Sequence, residues 1–351
     1  MAKKAVGIVL AVIFMMNIAS CKQKNAVIIG VNYEGSGALA SYGKAMLDGV
    51  RLAVEELGDG YRLVCADNRS FGADSAAAIL YLKNVCHADV IIGPSTGTLA
   101  KAALAAQADT LMITPSATSD ELKSTAHTKL VRLCFSDRVQ GAAMGEYASR
   151  RGVSRAAIVR DLSSDYATGC TRSFKAAFDG EIVYEGAFLS GECDFSAMIT
   201  ELKAAAPQAV YLPAYYTEAG LFIRQCRQQG FEPLFLGGDA MDSPLLLQLA
   251  GEGGEIVYTD HFTAQEEAYA AFAERFARRY DTAPPAYAAL AYDCVMLYAS
   301  CVEKAGVAGA EREIFSASDY QGVTGTLTIG ADGSAQKAPV FVSPGGNGCS
   351  S

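Results

Sequence analysis

Asp89-Val-Ile-Ile-Gly-Pro-Ser-Thr-Gly-Thr-Leu-Ala100 is a short β-branched run, a turn, and then small residues with leucine at helical spacing. Leu111-Met-Ile-Thr-Pro-Ser-Ala-Thr118 repeats the arrangement, its apolar run stopping at Pro115 ahead of Ser119-Asp120-Glu121. Together they predict two strands ending side by side, each followed by a loop of hydroxyls and then a helix start. In an open parallel α/β sheet, ligands bind outside the carboxyl ends of the strands. Unpaired N–H groups and the helix dipole make such a place receptive to a carboxylate or phosphate.

The same alternation extends in both directions. Upstream are a strand over Ala26–Asn32, a helix from about Ser41 to Leu57, a strand over Tyr61–Asp67 and a helix over Ala73–Val85; Leu130–Leu133 follows as a strand. A second run predicts strands at Ala156–Val159, Glu181–Phe188, Ala209–Leu212, Leu234–Leu236 and Glu255–Tyr258. The helices between them are Asp165–Phe178, Phe195–Ala204, Thr217–Gln229 and Pro244–Leu249. Longer helices follow at Glu266–Tyr280 and Ala286–Lys304, then a late strand over Tyr320–Ile329 and a frayed tail from Ser343. Strand–helix–strand repetition implies right-handed crossovers and parallel sheets, an α/β fold.

The amino terminus has the make-up of an export signal. Lys3 and Lys4 precede an apolar run, Val6 to Met16, too short to span a bilayer. Ile18-Ala19-Ser20-Cys21 resembles a bacterial lipobox, whose cysteine is acylated and becomes the new amino terminus; a chance cysteine in an ordinary signal is the plainer alternative. This predicts a signal over 1–20 and a lipidated linker over 21–25. Loss of two lysines moves the formal net charge from −9 to −11, which argues against nucleic acid and against an anionic membrane face as partner. The remaining length suits two domains.

Of ten cysteines, Cys65, Cys86, Cys134, Cys170, Cys226, Cys294 and Cys301 sit among apolar neighbours and read as small buried hydrophobes. Cys193 and Cys349 lie in polar surroundings, reactive or paired. No metal-like spacing occurs and there are three histidines, so neither metal nor cofactor is expected.

Gly93-Pro94, Ser116-Ala117-Thr118 and Asp137-x-x-Gln140-Gly141 resemble the signature of the periplasmic leucine/isoleucine/valine-binding proteins. These are the substrate-binding components of branched-chain amino acid ABC importers. The resemblance runs from about Val27 to Pro339. It implies the type I periplasmic-binding fold: two Rossmann-like lobes with parallel central sheets, joined by a three-crossing hinge. On that pattern lobe one comprises 25–136 and 262–333, and lobe two 137–261 and 334–351. It further implies a monomer outside the cytoplasm, anchored through Cys21, that delivers an amino acid to membrane permease subunits.

By the same resemblance, the Thr118 hydroxyl and backbone N–H would hold a ligand carboxylate, with Ser116 beside it, and the carbonyl near Ala117 would accept from the ammonium. The residue-level alternative is that Thr118-x-x-Glu121 is a capping box. Family members often carry a second hydroxyl four residues after Gly93; here that position is Gly97, leaving Ser95, Thr96 or Thr98 to supply it. Asp239 matches the acidic partner of the ammonium, against its reading as a turn aspartate after two glycines. Tyr42, Tyr166 and Tyr215 match cleft-facing aromatics, though Tyr42 can simply pack over its helix. Asp137 matches a motif position and can equally brace the hinge.

Other motifs lead elsewhere and fall short. Gly35-x-Gly37-x-x-Ala40 mimics a dinucleotide loop but begins three residues beyond the strand, in a chain bound for a place without a nicotinamide pool. Ser41-x-x-Lys44 lacks the partner elements of acylating enzymes, and Ser41 reads as a helix cap. A binding protein is expected, with a sensor of the same fold or a binder of an amide or urea-like solute as the rival.

Overall fold

The structure is a computed structural model that describes residues 26–106, 109–125, 128–263 and 267–344. β1 (Val27–Tyr33), β2 (Tyr61–Asp67), β3 (Val90–Ile92), β4 (Met112–Thr114) and β5 (Leu130–Arg132) form one wholly parallel sheet in the order β2-β1-β3-β4-β5. β3, β4 and β5 are buried throughout, and β3, inside the sheet, accordingly reads as an unbroken apolar run. Helices α1 (Ala40–Leu57), α2 (Gly72–Asn84) and α3 (Gly97–Ala106) connect them.

The second sheet contains β6 (Arg155–Asp161), β7 (Glu181–Phe188), β8 (Ala209–Tyr211), β9 (Leu234–Gly237) and β10 (Ile256–Asp260) in parallel. Its helices are α4 (Asp137–Arg150), α5 (Asp165–Ala177), α6 (Ser196–Ala205), α7 (Tyr216–Gln228) and α8 (Pro244–Ala250). The chain then returns to the first sheet through α9 (Glu267–Tyr280) and α10 (Ala286–Phe315). Phe272, Phe276 and the Ala286–Cys301 face of α10 share one core with β1, β3 and α1. A hairpin, β11 (Tyr320–Gly322) and β12 (Gly325–Leu327), follows, and the chain crosses again so that β13 (Val340–Val342) pairs antiparallel with β10.

Several sequence expectations need correction. The late strand is a hairpin, because the Asp293 carboxylate accepts from the N–H groups of Val323 and Thr324 and pins the turn between them. α10 runs beyond Lys304 to Phe315 and breaks at Gly306, whose φ of 69° suits glycine. No helix follows Thr118: residues 120–121 form a turn, so the capping box does not exist. Ser41 is no cap either, since α1 starts at Ala40 with Leu39 as its uncapped boundary.

Cys65 is exposed, on edge strand β2, and Cys86 is half-buried just past α2; Cys134, Cys170, Cys226, Cys294 and Cys301 are buried as expected. Cys193 is exposed and unpaired in a disulfide. The signal segment, Cys21, Cys349 and the tail beyond 344 lie outside the described residues. No helix among the described residues is long and apolar enough to cross a membrane.

The two sheets present their strand ends to each other, and the gap between them is shut. Tyr42 donates its hydroxyl proton to the Ala240 carbonyl, and the Tyr216 hydroxyl donates to the Ala38 carbonyl at 3.1 Å. The Ser41 and Ser243 hydroxyls lie 3.0 Å apart, the Ala286 N–H donates to Asp242 at 3.0 Å, and Lys101 meets Asp165. Each contact joins a loop or helix start of one sheet to one of the other.

Candidate functional site

Between the strand ends lies a small cavity lined by Ser95, Thr96, Gly97, Ser116, Thr118, Tyr166, Tyr215, Asp239, Ala240 and Tyr287. Eight of these were expected from sequence. Tyr42, Ala117 and Asp137 do not line it. Tyr42 is buried one layer back, stacked on Tyr287 at 4.5 Å and edge-on to Tyr215 at 6.2 Å. Ala117 is buried in the core beneath, and Asp137 lies behind the wall, its carboxylate within 3.4 Å of the Gln140 amide.

The first sheet contributes neutral polar groups. β3 ends in the loop before α3, whose first-turn N–H groups have no partner within the helix. The Ser116 hydroxyl donates to the Ser95 carbonyl at 2.9 Å, so it ties the two loops together rather than serving as a free donor. Ser95 keeps a buried hydroxyl that makes no hydrogen bond of normal geometry and lies near enough to Glu34 to steady its carboxylate. Its N–H donates at 3.0 Å to Glu34, a fully buried carboxyl whose other oxygen has no partner. Burial pushes the Glu34 carboxyl up from 4.5 to about 7, only partly offset by the Ser95 N–H. Thr118 helps stabilise the Asp137 carboxylate, whose pKa is nonetheless raised well above the ordinary range by burial.

Gly97 is enforced sterically. A Cβ there would lie 2.7 Å from the Cβ of Ser119, so the position cannot regain the expected hydroxyl without a shift. Thr98 is exposed. The Ser95 hydroxyl and the Thr96 loop are what remain.

The second sheet contributes a charge. β9 ends at Gly237, and Asp239 opens the following turn with only 2% of its surface exposed, which rules out an exposed turn aspartate. Its N–H donates to Gln140 Oε1 at 3.1 Å, and the same oxygen accepts from the Thr259 hydroxyl at 3.0 Å. The Asp137-x-x-Gln140 motif therefore acts through Gln140, which fixes the backbone that carries Asp239. Gly238 is needed for this approach: a Cβ would fall 2.2 Å from the Tyr166 hydroxyl and 2.6 Å from Gln140 Oε1. Asp239 Oδ2 lies 3.0 Å from Nε2 of His261, while Oδ1 is buried with no partner. Burial lowers the His261 pKa, with Asp239 opposing it.

Sequence reading missed Glu34, His261 and Tyr287. His261 could have been found, since it directly follows a strand whose predicted end, Tyr258, fell two residues short of the observed Asp260. Tyr287 carries no local signal: it opens a long helix after Pro284-Pro285 and reaches the cavity only through tertiary packing.

Two parallel sheets facing each other across a closed polar cavity define a two-lobed α/β solute-binding protein. The chain belongs to the periplasmic binding protein family, whose model matches residues 26–344. That family comprises substrate-binding proteins rather than enzymes, and its members work outside the cytoplasm. A Pseudomonas aeruginosa leucine-, isoleucine-, valine-, threonine- and alanine-binding protein is 30% identical over 225 residues, spanning 62% of this chain and 60% of that relative. The branched-chain amino acid transporter substrate-binding protein LivJ of Streptococcus pneumoniae, solved with isoleucine, superposes with a TM-score of 0.86 at 31% identity, covering 90% of this chain and 95% of that one. An R. palustris solute-binding protein solved with benzoate has a TM-score of 0.81 at 21% identity, covering 90% and 92%; that likeness speaks for the fold alone.

Proposed function

We propose that the protein captures a free amino acid in the interlobe cavity and delivers it to an ABC importer. The observation that carries this reading is the unpartnered, buried Oδ1 of Asp239, on the wall of a cavity that also holds the Ser95 hydroxyl and the first turn of α3. An ammonium on Oδ1 and a carboxylate on the hydroxyl and N–H groups would satisfy both ends at once. A benzoate-like anion would leave Oδ1 unpaired. The tyrosines suit an apolar side chain, and the relatives that bind branched-chain amino acids support the same class.

Within this reading, 25–136 with 262–333 and 137–261 with 334–351 are the two units that open and close. Tyr42 and Asp137 act from behind the cavity wall and Ala117 through its carbonyl. Acylated Cys21 holds the protein, as a monomer, to the outer face of a membrane, and the partner is a permease in that membrane.

A thermal-shift screen across the twenty amino acids and benzoate tests the assignment, because a ligand that binds only the folded state raises the melting temperature. Stabilisation by at least one amino acid and none by its des-amino analogue is expected. Stabilisation by benzoate alone would overturn it. Mass spectrometry of the exported protein should find diacylglycerol on Cys21, and an unmodified terminus would remove the anchor.

A further inference from the structure

We propose that His261 is a proton-holding positioning residue for Asp239: in the open, empty cleft the pair carries a proton, and the ligand ammonium takes that proton's place as the cleft shuts. Capture and release of one proton would then be a single event. The inference rests on the reading of the cavity as an ammonium site.

The pair is built as a unit. His261 Nε2 and Asp239 Oδ2 are 3.0 Å apart, and both side chains are almost wholly enclosed. The imidazole lies against Phe135, with ring centroids 4.0 Å apart and planes 28° from parallel. One atom of each partner is left over: Asp239 Oδ1 and His261 Nδ1 are both buried without a hydrogen bond. Asp239 follows β9 and His261 follows β10, adjacent strands of one sheet, so opening the cleft hydrates the pair without separating it.

Charge counting gives the coupling. A carboxylate beside a neutral imidazole leaves one uncompensated negative charge in the cleft. An ammonium on Oδ1 cancels it, and so does a proton on the imidazole. Both together would set two cations on one carboxylate, because the ligand's own carboxylate is held at the opposite wall, and a dry site disfavours that. Ammonium and proton therefore compete, and linkage makes the effect reciprocal.

The surroundings decide which form each state prefers. In the shut cleft, burial first and the Lys337 ammonium from the last crossing second act against a charged imidazole, with Asp239 opposing them. On the chain beside it, the Asp260 carboxyl accepts the His261 N–H at 2.6 Å. Asp137 and Cys134 from the first crossing, Asp242 after β9, Cys170 and Tyr166 on α5, Tyr211 on β8, Tyr215 before α7, Tyr287 on α10 and Tyr42 on α1 are the other ionisable groups around the pair. Hydration on opening removes the burial penalty and leaves Asp239 in place, so the empty open form is the protonated one.

The chain has three histidines, so the imidazole resonances can be assigned with a His261→Gln variant. A nuclear magnetic resonance titration of the empty protein should place His261 above the ordinary histidine value. Saturation with the tightest-binding amino acid of the screen should move it below that value. Isothermal calorimetry at pH 6 in two buffers of different protonation enthalpy should show close to one proton released. Affinity should weaken by up to about tenfold per pH unit below the empty-state value.

His261→Gln keeps an N–H donor for Asp239 and cannot titrate, so its affinity should be flat over that range; a purely structural role would leave the slope in place. An empty-state His261 below the ordinary value, or amino acid binding with no buffer-dependent heat, overturns the inference while the amino acid reading stands. Failure of every amino acid to bind overturns the reading, and a normal or lowered His261 value in that same empty protein overturns the inference separately.

Discussion

The two walls of the cavity meet opposite demands by opposite means. The first sheet faces the cavity with Ser95, Thr96, Gly97, Ser116 and Thr118, all neutral, and keeps its buried carboxyl, Glu34, one layer behind. The second faces it with Asp239, Ala240, Tyr166 and Tyr215, and its supporting layer is Gln140 and His261. Backbone N–H groups can hold an anion without a formal charge, because several partial charges converge at a helix start. An ammonium can take backbone carbonyls, such as that of Ala117, but a carboxylate adds a full opposite charge in one residue and makes the stronger bond. The wall built on backbone should tolerate single side-chain losses. The wall built on one carboxylate should not.

Asp239→Ala is the hardest test of that contrast. It leaves a ligand ammonium buried and unpaired, and a broken buried pair costs about 3–5 kcal/mol, so calorimetry should record a loss of roughly 10²–10³-fold or more. The loss should appear with an amino acid and vanish with its des-amino analogue. Equal losses for both ligands would place the cationic end elsewhere.

Glu34 sharpens the comparison through stability. Its folded-state value is about 7 against an ordinary 4.5, so the folded protein keeps a proton that the unfolded chain releases. That contribution is complete below about pH 4.5 and is lost as pH rises toward about 7, amounting to up to about 3 kcal/mol. Denaturant melts at pH 4.5 and 7.5 should therefore diverge more for the natural protein than for Glu34→Gln. Equal divergence would show that water or another donor relieves the Glu34 carboxyl.

Thr118→Ala should do less than Asp239→Ala. It removes one hydroxyl and keeps the backbone N–H, at a cost of about 1.5–3 kcal/mol in affinity. A loss matching that of Asp239→Ala would mean the first wall also depends on one side chain. Gly97→Ser should cost about 1–3 kcal/mol in stability, because the new Cβ meets Ser119, whose Cβ cannot swing away. Adding Ser119→Gly should recover most of it. Failure to recover would locate the strain in the loop backbone instead.

The two walls also differed in how readable they were. The hydroxyl wall occupies two continuous segments, Ser95–Gly97 and Ser116–Thr118, so local pattern and strand-end position sufficed to find it. Even there the local rule misled at Thr118, where a capping box with good spacing met a turn, and at Ser116, whose hydroxyl is consumed by the Ser95 carbonyl. Asp239 was legible as a strand-end acid. The support it takes from Gln140 on α4 and from Thr259 and His261 at the end of β10 was not, because no spacing links α4 to β10 or either to Asp239.

The sequence by itself determined the α/β class, most of the strand and helix order up to the long helices, and the paired loops, since side-chain periodicity and β-branched runs act within a few residues of each other. It also marked Gly237-Gly238-Asp239 as a place where the chain must turn sharply. Tertiary structure alone decided that Tyr287 reaches the cavity, that Asp137 stands behind it, that β13 pairs antiparallel with β10, and that Asp239 has one oxygen satisfied and one free. Those outcomes depend on which distant strand ends are packed together, and burial and hydrogen-bond competition at such a junction are set by every element that meets there.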